Sequence, residues 1–481
     1  MYVFRRTTLL LVGFIAFLLG VGISHSGQLI GPDWVIIILA LGLFSFRKKN
    51  IWALVWVILL AGSLGWWRGS VYMQKLGNWE AYYGHKVTIS VIAANDGVYS
   101  ARSQLAFTGT HAVIDGRELT GRVQVSGFGE NAVFQGDAVE ITGKLKPALG
   151  AYEGQLGFAQ LHVAGHHPSL VANIRRNFAA GMQNALPEPL ASFAMGLLIG
   201  QRATLPQDVK QDLLMVGLTH IIAVSGYNLT IILRAGKGIL GKRSKRISTL
   251  LSLGVIALFL LLTGSSASII RAAIVSMLSI GAGYYGRQVK PLLLIAMAAA
   301  ITAFANPFYV WTDTSWYLSF LAFYGVMVLA PMIAVRLHLK WQNSLVAMVA
   351  LESLCAELMT LPFVLHTFGQ MSFIGLVANV LVVALVPLAM LLSLIAGLAG
   401  MFIAPVSGWF AWPARILLTY MLDIAHLLSR IPHIFVQHIG LAVGEMLALY
   451  FLIVGITILL WYKTKQLKSA YVLTDKGKNL Y

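Results

Sequence analysis

The sequence predicts an α-helical polytopic membrane protein with a small inserted all-β, OB-like domain outside the cytoplasm. Three observations predict it. First, 58% hydrophobic against 11% charged residues over 481 positions leaves too little polar surface to cover a soluble globule. Second, apolar runs of membrane-helix length recur along the chain. Third, residues 84–167 interrupt that pattern with short alternating runs separated by turns.

The apolar runs fall near residues 8–24, 34–46, 51–67, 213–233, 248–264, 268–285, 291–305, 316–335, 343–365, 373–398, 408–428 and 441–462. Several are shorter than the roughly 20 residues a perpendicular span needs, so nine to twelve spans are expected. Arg5-Arg6 precede the first apolar core and no small-x-small cleavage site follows it, which reads as a retained signal anchor. The formal charge of +17 gathers at Arg5-Arg6, Arg47-Lys48-Lys49, the six Lys or Arg from Arg234 to Arg246, Arg287 with Lys290, Arg336 with Lys340, and Lys463 to Lys468. These clusters alternate consistently when both termini are cytoplasmic, which places the protein in the inner (cytoplasmic) membrane and residues 84–167 outside it. The single cysteine, Cys355, lies in an apolar run and allows no intrachain disulfide.

The exported segment reads as strands such as Val87–Ile92, Arg122–Val125 and Ala138–Gly143, divided by Asp-Gly and Gln-Gly-Asp turns. A five- or six-stranded barrel is expected. Barrels of the OB type bind single-stranded nucleic acid through basic grooves and stacking aromatics, so Arg102, Phe107, Arg122, Phe128, Lys144 and Lys146 are candidate contacts. The segment holds six Lys or Arg against seven Asp or Glu, and this balance gives no strong phosphate-binding footprint. Aromatics filling the barrel core are the competing reading. Beyond it, Ile174–Leu186 carries Arg175 and Arg176 and ends at Pro187-Glu-Pro189 before the apolar Leu190–Ile199, which suits an interfacial or a plain connecting helix.

The chemistry concentrates in Gly217-Leu-Thr-His-Ile-Ile-Ala-Val-Ser-Gly226 and the Tyr227-Asn228 that follows. His220, Ser225 and Asn228 leave polar groups in a run of membrane length, each costing several kcal/mol unless protein or water satisfies it. A break at Gly217 or Gly226 would aim helix-end N–H groups at anionic oxygens; a close helix contact with Ser225 and Asn228 bonded across it is the alternative. His220 and Ser225 suggest a hydrolase, but five helical residues set them about 140° apart around the axis, so no catalytic pair is expected. Arg271 either touches phosphates in a wet path or pairs with an intramembrane carboxylate such as Glu352 or Glu357. Asp313 either caps a helix or guards the path, and Gln370 and Asn379 either join helices or line it.

Gly196-Leu-Leu-Ile-Gly-Gln-Arg202, Leu205-Pro-Gln-Asp208 and the Gly217–Gly226 block closely resemble the competence region of the ComEC family, the membrane DNA-uptake channels of transformable bacteria. Ser265–Ala273, Tyr285-Gly-Arg287, Asn306-Pro307 with Asp313 and Leu318-Ser319-Phe320, then Leu361-Pro362, Phe368–Ser372 and Ala378-Asn379 follow in the family's order. The resemblance implies a channel passing single-stranded DNA into the cytoplasm, with His220, Ser225, Gly226, Tyr227, Asn228, Arg271, Asp313, Ser319, Gln370 and Asn379 along its path. Many members have histidine where this chain has Asn228 and glutamine where it has Tyr317. Longer members also carry a C-terminal metallo-β-lactamase-like domain, whereas this sequence stops about twenty residues beyond its last span. It contains no His-x-His-x-Asp-His metal cluster and no Gly-x-x-x-x-Gly-Lys-Ser/Thr phosphate loop.

The expected organisation is therefore N-terminal spans over 1–70, an OB-like domain over 84–167, an interfacial helix and linker over 171–210, a competence-type bundle over 211–462 and a cytoplasmic tail over 463–481. Neither a cofactor nor a metal nor catalysis is expected. The expected partners are single-stranded DNA, the lipid bilayer, a separate DNA receptor, a cytoplasmic motor or helicase and, if one is used, a separate nuclease. The alternative is a non-conducting envelope scaffold built on the same fold.

Overall fold

The computed structural model describes residues 5–26, 31–34, 36, 51–99, 104–130, 132–148, 152–165, 170–200, 205–222, 229, 233, 244–263, 267–287, 290–336 and 345–474. The molecule is mostly helical, with one small closed barrel. Among the described residues, six helices are long and apolar enough to cross a membrane: Arg6–Ser24, Ile51–Glu80, Thr314–Val335, Ala347–Phe368, Gly375–Phe402 and Val443–Tyr462. Leu190–Ile199, Ile269–Tyr284 and Pro291–Ala305 are shorter apolar helices. The chain is a multi-pass membrane protein.

The run expected at 34–46 lies almost wholly outside the described residues, and two other expected spans take another form. The run at 213–233 is not continuous, because the helix Gln207–Met215 ends at Gly217 and a short helix restarts at Thr219–Ile222. The run at 408–428 forms the helix Ser407–Ser429, but exposed Arg415, Asp423 and His426 lower its hydropathy and it is not among the six. At the other end, the helix Val443–Thr474 carries the chain into the expected tail without a break.

The barrel is built from β1 (Lys86–Ala93), β2 (Val98–Tyr99), β3 (Leu105–Ile114), β4 (Arg117–Phe128), β5 (Ala138–Pro147) and β6 (Gly154–Gly165). Its strand order is β1-β5-β6-β4-β3-β2, and a further β1–β3 pairing closes five strands into a ring with β2 at its margin. All pairings are antiparallel except β4 with β6. Alternation along the strands sends Ile89, Val91, Leu105, Phe107, Val123, Val125, Val139, Ile141, Leu145 and Leu156 inward. Phe107, expected as a surface contact, is 3% exposed and is a core residue: the period-two register of β3 points it at the barrel axis.

The helix Ile51–Glu80 explains how the barrel is held. Its 30 residues span about 45 Å, more than the roughly 30 Å of hydrocarbon, so its C-terminal turns project beyond the bilayer. Its Trp79 is fully buried in the barrel core, and Nε1 donates to the Thr120 carbonyl at 2.9 Å. About two turns earlier, Tyr72 Oη donates to Glu153 Oε1 at 2.5 Å, while the Arg122 backbone N–H donates to Glu153 Oε2 at 2.5 Å. Closer to the membrane the same helix packs on Arg6–Ser24. A Cβ on Gly65 would lie 2.1 Å from the Phe17 carbonyl oxygen, an approach that small residues permit. Arg68 Nε and Nη2 donate to the carbonyls of Phe304 and Ala305 at 2.8 and 3.0 Å, capping the helix Pro291–Ala305. At the opposite end, Lys290 Nζ donates to Thr7 Oγ1 at 2.9 Å, so two basic clusters share one side.

The helix Leu170–Ala185 leaves the barrel with Arg175 Nη1 donating to Gln135 Oε1 at 2.7 Å and Arg176 lying 4.4 Å over the Phe134 ring. It then packs against the helix Val386–Phe402, contributing Phe178 and Met182 to the main bundle core. Every residue of Leu190–Ile199 is buried in that core.

Burial raises the Glu153 carboxyl above its ordinary value, against the lowering effects of the Arg122 and Tyr72 hydrogen bonds. The folded protein thus holds this proton more tightly than the unfolded chain. The corresponding stability is present in full below about pH 4.5 and declines as pH rises through the raised value. Glu153→Gln, whose carbonyl can accept from Arg122 and whose amide can donate to Tyr72, should flatten this decline. Scanning fluorimetry of both proteins in detergent from acid to neutral pH will measure it; parallel slopes would remove Glu153 as the titrating group.

Candidate functional site

Two pairs of motif blocks, far apart in sequence, meet inside the bundle. In the first, the helix Gln207–Met215 terminates in a left-handed turn at Gly217, whose φ is 75°. The Leu218 N–H returns to the Leu213 carbonyl at 2.8 Å and the Gly217 N–H to Leu214 at 3.1 Å, the pattern of a Schellman cap. Glycine is needed there because a Cβ disfavours that φ. Against this turn lies β7 (Gln370–Ser372), in which Ser372 Oγ donates to the Met215 carbonyl at 2.8 Å. A Cβ on Gly217 would sit 3.4 Å from Ser372 Cβ and 3.5 Å from Gly375 Cα, so the first and last blocks are packed together. β7 pairs with β8 (Phe435–Gln437), with Gln370 opposite Gln437.

Glu357 lies beneath the same turn: Oε1 is 3.3 Å from where a Gly375 Cβ would stand, and Oε2 is buried without a hydrogen-bond partner. Sequence reasoning had treated Glu357 only as a possible partner for Arg271. A carboxylate in an apolar run is a functional candidate in its own right, and that signal was present. Nearby, Asp212 accepts from Ser429 Oγ at 2.7 Å and contacts His426 Nδ1 at 2.7 Å, tying Gln207–Met215 to Ser407–Ser429. Nothing in the spacing of these three residues announced their meeting.

The second meeting involves Arg271 and Asp313. Arg271, on the helix Ala267–Tyr284, is 1% exposed. Its Nη2 donates to the Ser315 carbonyl at 3.0 Å, and Nη1 stands 3.9 Å from Asp313 Oδ2. Asp313 Oδ1 accepts from Ser315 N at 2.9 Å and Ser315 Oγ at 2.7 Å, so Asp313 is the N-cap of the helix Thr314–Tyr324. The carboxylate beside Arg271 is therefore Asp313 and neither Glu352 nor Glu357. The reason is helix order: Arg271 stands near the start of its helix, level with the loop that opens the next block. Arg271 Nε and Nη1 and Asp313 Oδ2 make no hydrogen bond. On the elements that hold the pair, Tyr309, Trp316 and Phe320 are buried in one cluster with Val275, and Trp316 Nε1 donates to Thr302 Oγ1 at 3.0 Å. In this state Arg271 does not face solvent, and contact with a phosphate would require the pair to open.

Of the other expected path residues, His220 is exposed with Nδ1 3.1 Å from the Gly217 carbonyl, and Ser319 and Gln370 are half-buried. Asn379 is 8% exposed, with Oδ1 buried and without a partner. Ser225, Gly226, Tyr227 and Asn228 lie outside the described residues, as does Arg102. On the barrel, Phe128, Lys144 and Lys146 are exposed and Arg122 is half-buried. Among the described residues no group of three or more His, Cys, Asp or Glu could hold a metal ion.

A family profile described as "Competence protein" matches residues 197–465, more than half of the chain and the whole region in which these blocks meet. The chain belongs to the competence protein family. A curated relative, "ComE operon protein 3" of Bacillus subtilis (strain 168), is 24% identical over 310 residues, which cover 63% of this chain and 38% of the relative. This competence protein thus aligns with less than half of that relative's length. No solved structure matches it.

Removing Arg271 would leave the Asp313 carboxylate buried without its counter-charge, which costs about 3–5 kcal/mol. Arg271→Ala should therefore lower the thermal midpoint and the abundance of the competence protein, and Arg271→Leu combined with Asp313→Asn should recover most of the loss. Unfolding of the purified variants in detergent will show this. Equal stability of Arg271→Ala and wild type would mean that the pair holds nothing together.

Proposed function

We propose that this chain is the conduit through which a single strand of DNA crosses the cytoplasmic membrane during DNA uptake. The observation that carries the proposal is that the segment matched by the competence family is a membrane bundle with charged and amide groups inside it: Arg271, Asp313, Glu357 and Asn379. Such groups are costly in hydrocarbon and characteristically mark ion or substrate pathways. The relative's name places that protein in the ComE operon.

In this reading both termini are cytoplasmic and the barrel faces outward. The alternation of basic clusters supports that orientation, as does the contact that places Lys290 beside Thr7. DNA arrives at the barrel side and the segment around His220 and Asn228 leads it inward, with Arg271 reached when its pair with Asp313 separates. The protein acts as a channel and not as an enzyme. A DNA receptor, a cytoplasmic motor or helicase and, if one is used, a nuclease are its proposed partners.

The test is the fate of fluorescently labelled DNA in cells with the intact gene or a deletion, scored separately for surface binding and for arrival in the cytoplasm. Retained binding with lost passage is expected. Unchanged passage would overturn the conduit and leave a non-conducting envelope scaffold in its place.

A further inference from the structure

Two exposed phenylalanines stand side by side on the barrel. Phe158 is 66% exposed and Phe128 47% exposed, and their ring centroids are 6.5 Å apart. Phe158 also has a φ of 54°, a left-handed conformation that a β-carbon disfavours and glycine would adopt without strain. It sits in a bulge of β6 that shifts the register on both sides: between Val125 and Gly127 on β4, and between Thr142 and Leu145 on β5. Bulges re-aim side chains, and strained backbone persists where function holds it. Here the bulge turns a phenylalanine out of the alternating pattern and lays it beside Phe128 at the end of β4.

The neighbouring strand supplies charge. Lys144 and Lys146 are exposed on β5, on the stretch facing the bulge, and Lys86 of β1 is exposed directly opposite Lys144. Glu140, the exposed acid on β5, lies toward the other end of that strand, opposite His162. The face across β4, β6, β5 and β1 thus combines two adjacent rings with three lysines, although the segment as a whole is slightly acidic. The outward positions of β3, Ala106, Thr108 and Thr110, carry neither ring nor charge. Rings beside cations suit single-stranded nucleic acid, whose bases stack while its phosphates meet lysines; a duplex keeps its bases stacked on one another.

We propose that the Phe128–Phe158 pair, flanked by Lys144 and Lys146, is a stacking platform that docks the bases of single-stranded DNA on the barrel. The site rests on the conduit reading for its role but is testable apart from it. The full-length protein in nanodiscs is titrated with a fluorescein-labelled oligodeoxythymidylate and followed by anisotropy. Phe158→Gly fits the observed φ, so its thermal midpoint should equal or exceed that of wild type while its Kd rises about tenfold, the worth of one stacked base. Phe128→Ala should weaken binding similarly, and Lys144→Gln with Lys146→Gln should reduce the dependence of Kd on salt. An unchanged Kd in both folded Phe variants overturns the platform, as does a duplex bound as tightly as the single strand. Should passage be lost in the gene deletion while these Kd values stay unchanged, the platform fails and the conduit stands. Passage surviving the deletion, with Kd dependent on Phe158, does the reverse.

Discussion

With 1% of its surface exposed, Arg271 is a cation that has to be answered by a carboxylate from its own chain, and the Asp313 loop is placed to supply it. The same carboxylate caps the helix Thr314–Tyr324, so one side chain starts that helix and fixes it to Ala267–Tyr284. Around the pair, Trp316 Nε1 donates to Thr302 Oγ1 and Tyr317 Oη donates to the Val310 carbonyl. Hydrocarbon offers no substitute for any of these contacts, which is why the middle of the bundle is organised about them.

The loop that holds Asp313 is also connected to the barrel. Tyr72, which reaches Glu153, packs its ring 6.4 Å from Phe308 and 6.0 Å from Trp311. Trp311 Nε1 donates to the Val21 carbonyl at the end of the first helix. A single helix, Ile51–Glu80, therefore touches the barrel through Trp79 and Tyr72 and the competence bundle through Arg68 and Tyr72. The barrel and the Arg271 region are thus joined through one helix.

The fold class was legible in composition and in the two hydrophobic periods, because burial in lipid and burial on one side of a strand leave different repeats. The β-domain shows what periodicity leaves open. Phe107 and Phe128 are both aromatic residues on strands, yet the first lies in the core and the second on the surface. Alternation separates faces but does not say which face turns inward until the barrel closes. The exposure of Phe158 was not legible either, since it comes from a bulge that depends on the register of two neighbouring strands.

For the candidate site, the sequence by itself determined the membrane class, the ordered competence blocks and the presence of ionisable residues in apolar runs. Local properties were enough, since each follows from the cost of a side chain in its own stretch of chain. Only the tertiary structure decided the partners: Asp313 for Arg271, Ser372 for the turn at Gly217, Glu153 for Tyr72. These contacts join residues brought together by helix order and depth, and pairing at such separations is set by the packing of the whole bundle, which no single segment encodes.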